Sequence, residues 1–382
     1  MSLVEPDRSA RVSTLELFFD LVFVFTITQL TNVLVSGGDV TAIAQVVVML
    51  LVIWWMYDGY AWLTNAIATD HLRHRLLLIG GMGSFLVVAL AVPQAYASTG
   101  LAFGLGYLSV VLLHASMYVH GTTAREIAAI LRIVPSNLAA AVIVLVGGAL
   151  GGDAQWVLWT FAAALLWITP RFTSVEGLVI AAEHFVERHG LVIIVALGES
   201  IVVIGAAAGL ELDASVALVA LLALALSASL WWVYFSDEGA VEKAMLDAPR
   251  ESRPQLALTA FGYWHYGLLL AIVAIAAGLK KAVGEPYDTL DPLIAVELGV
   301  GVALFLACEV GFRRTLGIGR SGARLAAAAV ALATIPLGTE LDAKAQIGAL
   351  AAIIALALVF EGTRTRARPR PSPEPRGSQQ SK

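Results

Sequence analysis

The sequence predicts an all-α polytopic membrane protein of about twelve transmembrane helices, and three observations carry that expectation. Of the 382 residues, 59% are hydrophobic and 14% charged, whereas a soluble domain carries about 25% charged residues. Mean hydropathy is +0.81. The apolar residues gather into runs of the length a helix needs to cross about 30 Å of hydrocarbon, roughly 17 to 25 residues. Such a composition excludes a cytosolic enzyme, a disordered chain and a nucleic-acid binder.

Twelve runs bounded by charge, Gly or Pro lie at 15–35, 40–63, 76–96, 101–120, 137–151, 154–169, 191–210, 214–235, 256–279, 293–312, 323–337 and 343–360. Each is expected to be helical, because lipid leaves an open backbone no water to bond. The fifth, sixth, eleventh and twelfth runs are short enough to pair instead as shallow hairpins. The EPDRSAR segment before the first run and the lack of a small-residue cleavage site after it argue against a signal peptide. Alternating the connections puts 21 of the 24 Lys and Arg residues, Arg188, Arg313 and Arg324 among them, on one side. Only Lys280, Lys281 and Lys344 fall on the other, so both termini are expected inside.

The two halves resemble one another. ELFFDLVFVFTITQL followed by WWMYDG in the first faces ERHGLVIIVALGESIVVIG followed by WWVYFSDEG in the second. Trp54, Trp55 and Tyr57 thereby correspond to Trp231, Trp232 and Tyr234. Residues 1–180 and 181–362 read as six-helix repeats inserted in the same orientation. Residues 363–382, rich in Arg, Pro and Ser, read as a disordered cytoplasmic tail. That tail is suited either to fixing topology or to holding anionic lipid at about 1 kcal/mol per cation.

An ionised side chain at mid-membrane costs about 2.5–3.5 kcal/mol, so each one inside a run needs a partner or a wet cavity. Glu16 and Asp20 are four apart and share a helix face, which Thr28, Thr31 and Asn32 continue. Asp58 follows the first Trp pair, with His71, Arg73, His74 and Arg75 beyond it. In the second half Glu183, His184, Glu187 and His189 precede the seventh run, while Glu199 and Ser200 fall near mid-membrane. Asp237 follows the second Trp pair, His114 and His265 sit in the fourth and ninth runs, and Glu297 and Glu309 in the tenth. Asp20 and Glu199 are the leading functional candidates, since structural polar groups in membranes are usually Ser, Thr, Asn or Gln. Glu16, Glu183, Glu187 and Asp237 read equally well as solvated interfacial groups. His114 and His265 read as helix-to-helix hydrogen-bonding groups in preference to metal or haem ligands. The Trp pairs read as core, Cys308 as a small buried hydrophobe, and Gly147/Gly151 with Gly148/Gly152 as a close helix contact. The chain has no phosphate loop, zinc-protease motif or nucleophile elbow, and no cofactor or metal is expected.

LELFFDLVFVFTITQLTNVL at 15–34, WWMYDGYAW at 54–62 and ERHGLVIIVALGESIVVIG at 187–205 together resemble the bacterial low temperature requirement protein A family up to Phe360. That resemblance implies an integral membrane protein named for a cold-growth phenotype and assigns no activity to particular residues. A shorter stretch, Phe18-x-Asp20-x-Val22-Phe23 with Ile27-Thr28, is similar to the first helix of a potassium-channel family built from six-span repeats. It departs at Phe19, in the spacing to Arg11 and in the second half, which has no F-x-D. This similarity implies that the helices at Leu15 and Leu191 face each other around a central path.

Three classes of function stay open. The favoured one is a transporter or channel-like protein of the bacterial cytoplasmic membrane, moving an ion or small solute past Asp20 and Glu199. Asp58, Glu16, Ser200, His265 and Glu309 would support them. The second is a membrane enzyme or lipid-modifying protein using Asp58, His71, His74, Glu183, His184 and His189 at inner-leaflet depth. The third is a structural or sensory scaffold.

Overall fold

The computed structural model describes residues 12–67, 71–121, 127, 129–173, 178, 180–207, 213–284, 288–319 and 321–366. The helices are α1 (Thr14–Gly37), α2 (Val40–Ala66), α3 (Leu72–Ala91), α4 (Gly100–Gly121), α5 (Val134–Leu150), α6 (Gly152–Ile168) and α7 (Ala182–Ala207). They continue as α8 (Ala214–Phe235), the short α9 (Glu238–Asp247), α10 (Arg253–Gly284), α11 (Pro292–Leu316), α12 (Gly322–Leu332), α13 (Ile335–Glu340) and α14 (Ala343–Arg366). A helix lies over each of the twelve apolar runs. Among the described residues, nine helices are long and apolar enough to cross a bilayer. The 17-residue α5 and α6, together with α7, stand apart from that set.

Local chemistry fixes the helix ends. Ser13 caps α1 in a capping box, its hydroxyl accepting from Glu16 N–H while the Glu16 carboxylate accepts from Ser13 N–H. Gly38 then turns the chain with φ 62°, where a side chain would be strained. Asp39, Asp213 and Asp291 cap α2, α8 and α11 by accepting from backbone N–H groups. Within α10, residues Leu258–Tyr263 form a π-helical turn, a distortion that frees backbone carbonyls and often marks functional positions.

Helix starts differ from the sequence expectation in one consequential place. α7 begins at Ala182, nine residues before the apolar run, so His184, Arg188 and His189 belong to a buried helix and not to a loop. Arg188, Arg313 and Arg324, expected in cytoplasmic connections, are 1%, 4% and 1% exposed inside helices. Charge so buried is tolerated because each of the three meets carboxylates. α14 reaches Arg366, past the expected start of the tail, and residues 367–382 lie outside the described residues, as do Arg8, Arg11, Arg125 and Arg320.

In the first half α1 packs on α2 and α3, α3 on α4, α4 on α5, α5 on α6, and α2 on α6. In the second half α7 packs on α8 and α10, α10 on α11, α11 on α12, α12 on α14, and α8 on α14. The α4–α5 contact is so close that a Cβ on Gly148 would strike the backbone of Gly100, which is the small-residue spacing at work. Across the halves, α1 and α2 pack on both α7 and α10. No comparable packing of α3 on α7 exists among the described residues, so the junction is lopsided.

Candidate functional site

The polar groups converge where α1 and α2 meet α7 and α10. Glu16 spends Oε2 on the Ser13 cap, and its Oε1 is 3.2 Å from His184 Nε2 and 3.8 Å from Arg188 Nη1. It is 3% exposed, so the solvated interfacial reading of Glu16 is corrected: the His184 ring and the Arg188 guanidinium from α7 hold it indoors. One turn on, Asp20 accepts from the Tyr57 hydroxyl on α2 and lies 3.0 Å from Arg188 Nη2. The Arg188 guanidinium also lies 5.8 Å from the Phe19 ring centroid and 5.9 Å from that of Tyr57, within cation–π range.

Hydrogen-bond partners fix where protons reside on the histidines. Asn65 accepts from Ala181 N–H and donates to Ala181 O, both at 2.9 Å, which orients its amide so that Nδ2 also faces His184 Nδ1 at 3.2 Å. His184 Nδ1 must therefore accept, leaving Nε2–H to face Glu16 as a neutral imidazole. His189 differs, because both ring nitrogens face acceptors: Nδ1 the Phe185 carbonyl at 2.9 Å and Nε2 the Asp58 carboxyl at 2.9 Å. A carbonyl only accepts, so Nδ1 carries a proton. A second proton must then lie between Nε2 and Asp58, whichever of the two holds it. Asp58 Oδ2 accepts in addition from Trp62 Nε1 at 3.2 Å.

The π-turn of α10 completes this wall. Trp54 Nε1 donates to the Gly262 carbonyl at 2.7 Å, and a Cβ on Gly262 would come within 3.3 Å of Asp58 Oδ2. His265 Nδ1 donates to Ala260 O at 3.1 Å, across the wider turn, and its Nε2 accepts from the Tyr234 hydroxyl at 2.7 Å. A neutral imidazole satisfies both. The His189 and His265 rings stand 5.5 Å apart.

Glu199 is elsewhere. It follows Arg188 by eleven residues, about 16 Å along α7, and Thr28 of α1 and Lys280 of α10 are the polar groups acting on it. Lys280 Nζ donates to Asn32 Oδ1 at 2.8 Å, and Ser200 is buried beside Glu199. The structure thus sets Asp20 and Glu199 at two levels of one α1–α7 contact, with buried Phe23, Ile27, Val192 and Ile193 between them. Among the described residues, Asp20 Oδ2, Arg188 Nε, Thr31 Oγ1 and Glu199 Oε1 are buried without a hydrogen-bond partner.

Glu309 belongs to a separate network. It pairs with Arg324 and lies 3.7 Å from Arg313. Asp237 pairs with Arg313, and Arg324 reaches Glu361 at 3.1 Å and the Val233 carbonyl at 3.0 Å. Glu309, expected beside Asp20 and Glu199, is instead held by arginines that tie it to α8, α12 and α14. The six residues of the inner-leaflet enzyme reading also divide. Asp58 pairs with His189, His184 with Glu16, His71 faces His74 at 5.7 Å, and Glu183 is exposed. No three His, Cys, Asp or Glu side chains converge as metal ligands would, among the described residues. Sequence reasoning missed Arg188, Tyr57 and Asn65 as site residues. The signal for Arg188 was its place one turn after His184, on the same helix face.

Buried, mutually paired charges between long apolar helices define a polytopic α-helical membrane protein. Residues 11–360 match the family described as bacterial low temperature requirement A protein (LtrA), and the chain belongs to that family. It is also similar to the uncharacterized protein RA0937 of Rhizobium meliloti (strain 1021), 28% identical over 325 residues that cover 81% of this chain and 79% of that one.

Proposed function

We propose that this LtrA protein is a transporter or channel-like protein of the bacterial cytoplasmic membrane that moves an ion or small solute between α1 and α7. Twelve crossings form its frame, built as like-oriented repeats 1–180 and 181–362 with both termini inside. The matching order of helix pairings in the two halves supports the repeats. The carrying observation is that, among the described residues, the one α1–α7 contact carries five residues with buried polar atoms lacking a hydrogen-bond partner, Glu16, Asp20, Thr31, Arg188 and Glu199, although such atoms also occur outside it, at Glu297, Glu309 and Gln346 among others. An orphaned polar atom costs about 1–3 kcal/mol, a cost relieved when water or a passing solute reaches it.

In this reading Asp20 and Glu199 are the two stations and the apolar layer between them excludes water at rest. Arg188 and Tyr57 hold Asp20 closed, Glu16 shares Arg188 with it, Ser200 flanks the second station, and Asp58 with His189 and His265 forms the proton-bearing side wall. Glu309 stays outside the path. The test is flux of protons, Na⁺, K⁺ and ammonium, read with a lumenal pH dye and ion-selective electrodes in vesicles containing the whole chain. Asp20→Asn and Glu199→Gln are each expected to lower flux about tenfold or more, as loss of a charge-assisted contact of about 1.5–3 kcal/mol predicts. Wild-type flux in both variants, with equal protein inserted, removes these carboxylates from the mechanism.

A further inference from the structure

We propose that a pocket in front of Asp58 binds a small organic ammonium ion, or the ammonium head of a larger amine. The pocket offers ≈ 70 Å³ and is walled by Trp55, Trp62, Tyr118 and His114, with Asp58 and Asn137 as its other polar lining residues. This inference concerns binding alone and does not depend on the transport reading.

Four features select the ligand. First, among the described residues Asp58 is the one carboxylate lining the pocket, and neither Lys nor Arg lines it. Its partner His189 is fully buried on α7 and does not line the pocket, so the carboxylate stands between imidazole and cavity. Second, both indoles are held by their own N–H groups, Trp62 by Asp58 at 3.2 Å and Trp55 by Asn137 Oδ1 at 3.1 Å. What they offer a guest is ring surface, which attracts cations. Third, His114 uses Nε2 on the Gly59 carbonyl at 3.0 Å and so braces α4 against α2. Fourth, the remaining walls are Ile130, Ile133, Leu178, Leu258 and Pro170. A hard cation such as Ca²⁺ or Mg²⁺ needs six or so oxygen ligands, far more than one carboxylate and one amide supply. An alkylated ammonium needs one counter-charge and apolar or aromatic surroundings. The surroundings are present, and Asp58 supplies the counter-charge when the bound ammonium takes the place of the proton it shares with His189, that proton leaving to solvent.

The ammonium has two possible sources, a soluble amine or the ethanolamine head of a membrane lipid. The experiment uses the full chain in nanodiscs of phosphatidylglycerol, titrated with ethanolammonium chloride and with ethylene glycol, a neutral molecule of similar size. Tryptophan fluorescence and calorimetry report binding. Saturable binding of ethanolammonium is expected, with ethylene glycol at least about tenfold weaker, a gap of about 1.4 kcal/mol. Asp58→Asn should remove the preference for the cation. Trp55→Leu, which leaves Asp58, His189 and Trp62 in place, should weaken the cation about tenfold while a thermal melt shows the fold retained. Equal response to both titrants, or wild-type affinity in Trp55→Leu, overturns the proposal. Repeating the titration in discs containing phosphatidylethanolamine assigns the source: weakened binding identifies the lipid head as the occupant, and unchanged binding identifies a soluble amine.

Discussion

The two halves carry the same Trp-Trp-x-Tyr motif and put it to different uses. In the first half Trp54 is 1% exposed, and Tyr57 donates to the carboxylate of Asp20. In the second half Trp231 and Trp232 are 46% and 62% exposed on a helix surface, while Tyr234 donates to the neutral ring of His265. The acidic residues that follow diverge in the same way. Asp58 shares a proton with His189, whereas Asp237 pairs with the permanently charged Arg313. The acidic residue after the first motif thus meets an imidazole from α7, and the one after the second sits in an arginine clamp of Arg313 and Arg324.

The sharpest way to break that contrast is Arg324→Met. Arg324 serves Glu309, Glu361 and the end of α8 at once, and its removal strands buried carboxylates. Removing one partner of a buried ion pair costs about 3–5 kcal/mol, so a large fall in melting temperature in detergent is expected. Arg324→Met combined with Glu309→Gln should recover part of it. If the single variant melts with wild type, the clamp is not structural and the contrast between the halves fails.

The tyrosines give the next comparison, because their partners differ only in charge. Tyr57→Phe removes a hydrogen bond to a buried carboxylate, worth about 1.5–3 kcal/mol, while Tyr234→Phe removes a neutral one, worth about 0.5–1.5 kcal/mol. Thermal or denaturant unfolding of the two variants side by side should show the first as the less stable. The reverse order would mean that Arg188 alone compensates Asp20.

How much of this was legible beforehand follows from the same physics. Lipid forces any apolar run into a helix, so the twelve helical segments and the cost of burying Asp20, Asp58 and Glu199 could be read from composition. Their partners could not, because pairing is tertiary. Asp20 meets Arg188 from a helix 168 residues away in sequence, a distance no local pattern encodes. Charge counting also could not show what Arg188, Arg313 and Arg324 touch, since a cation beside a run looks the same whether it faces water or a buried carboxylate. The proton shared by Asp58 and His189 needed Phe185 O to be seen on the other ring nitrogen.

The smallest expected effect is at the exposed pair, and it tests whether the motif has a common role. If Trp231 and Trp232 face lipid, Leu at either position exchanges one apolar surface for another and leaves every hydrogen bond described here intact. Surface substitutions of that kind usually stay within about 0.5 kcal/mol, so Trp232→Leu should melt with wild type. Trp54→Leu should not, because the Gly262 carbonyl in the π-turn loses its 2.7 Å donor and the rings of Tyr57 and Phe23 lose their neighbour. A Trp232→Leu variant as damaged as Trp54→Leu would show that the second pair is covered by a further helix or a second copy of the chain, and the difference between the halves would then lie in their partners and not in their burial.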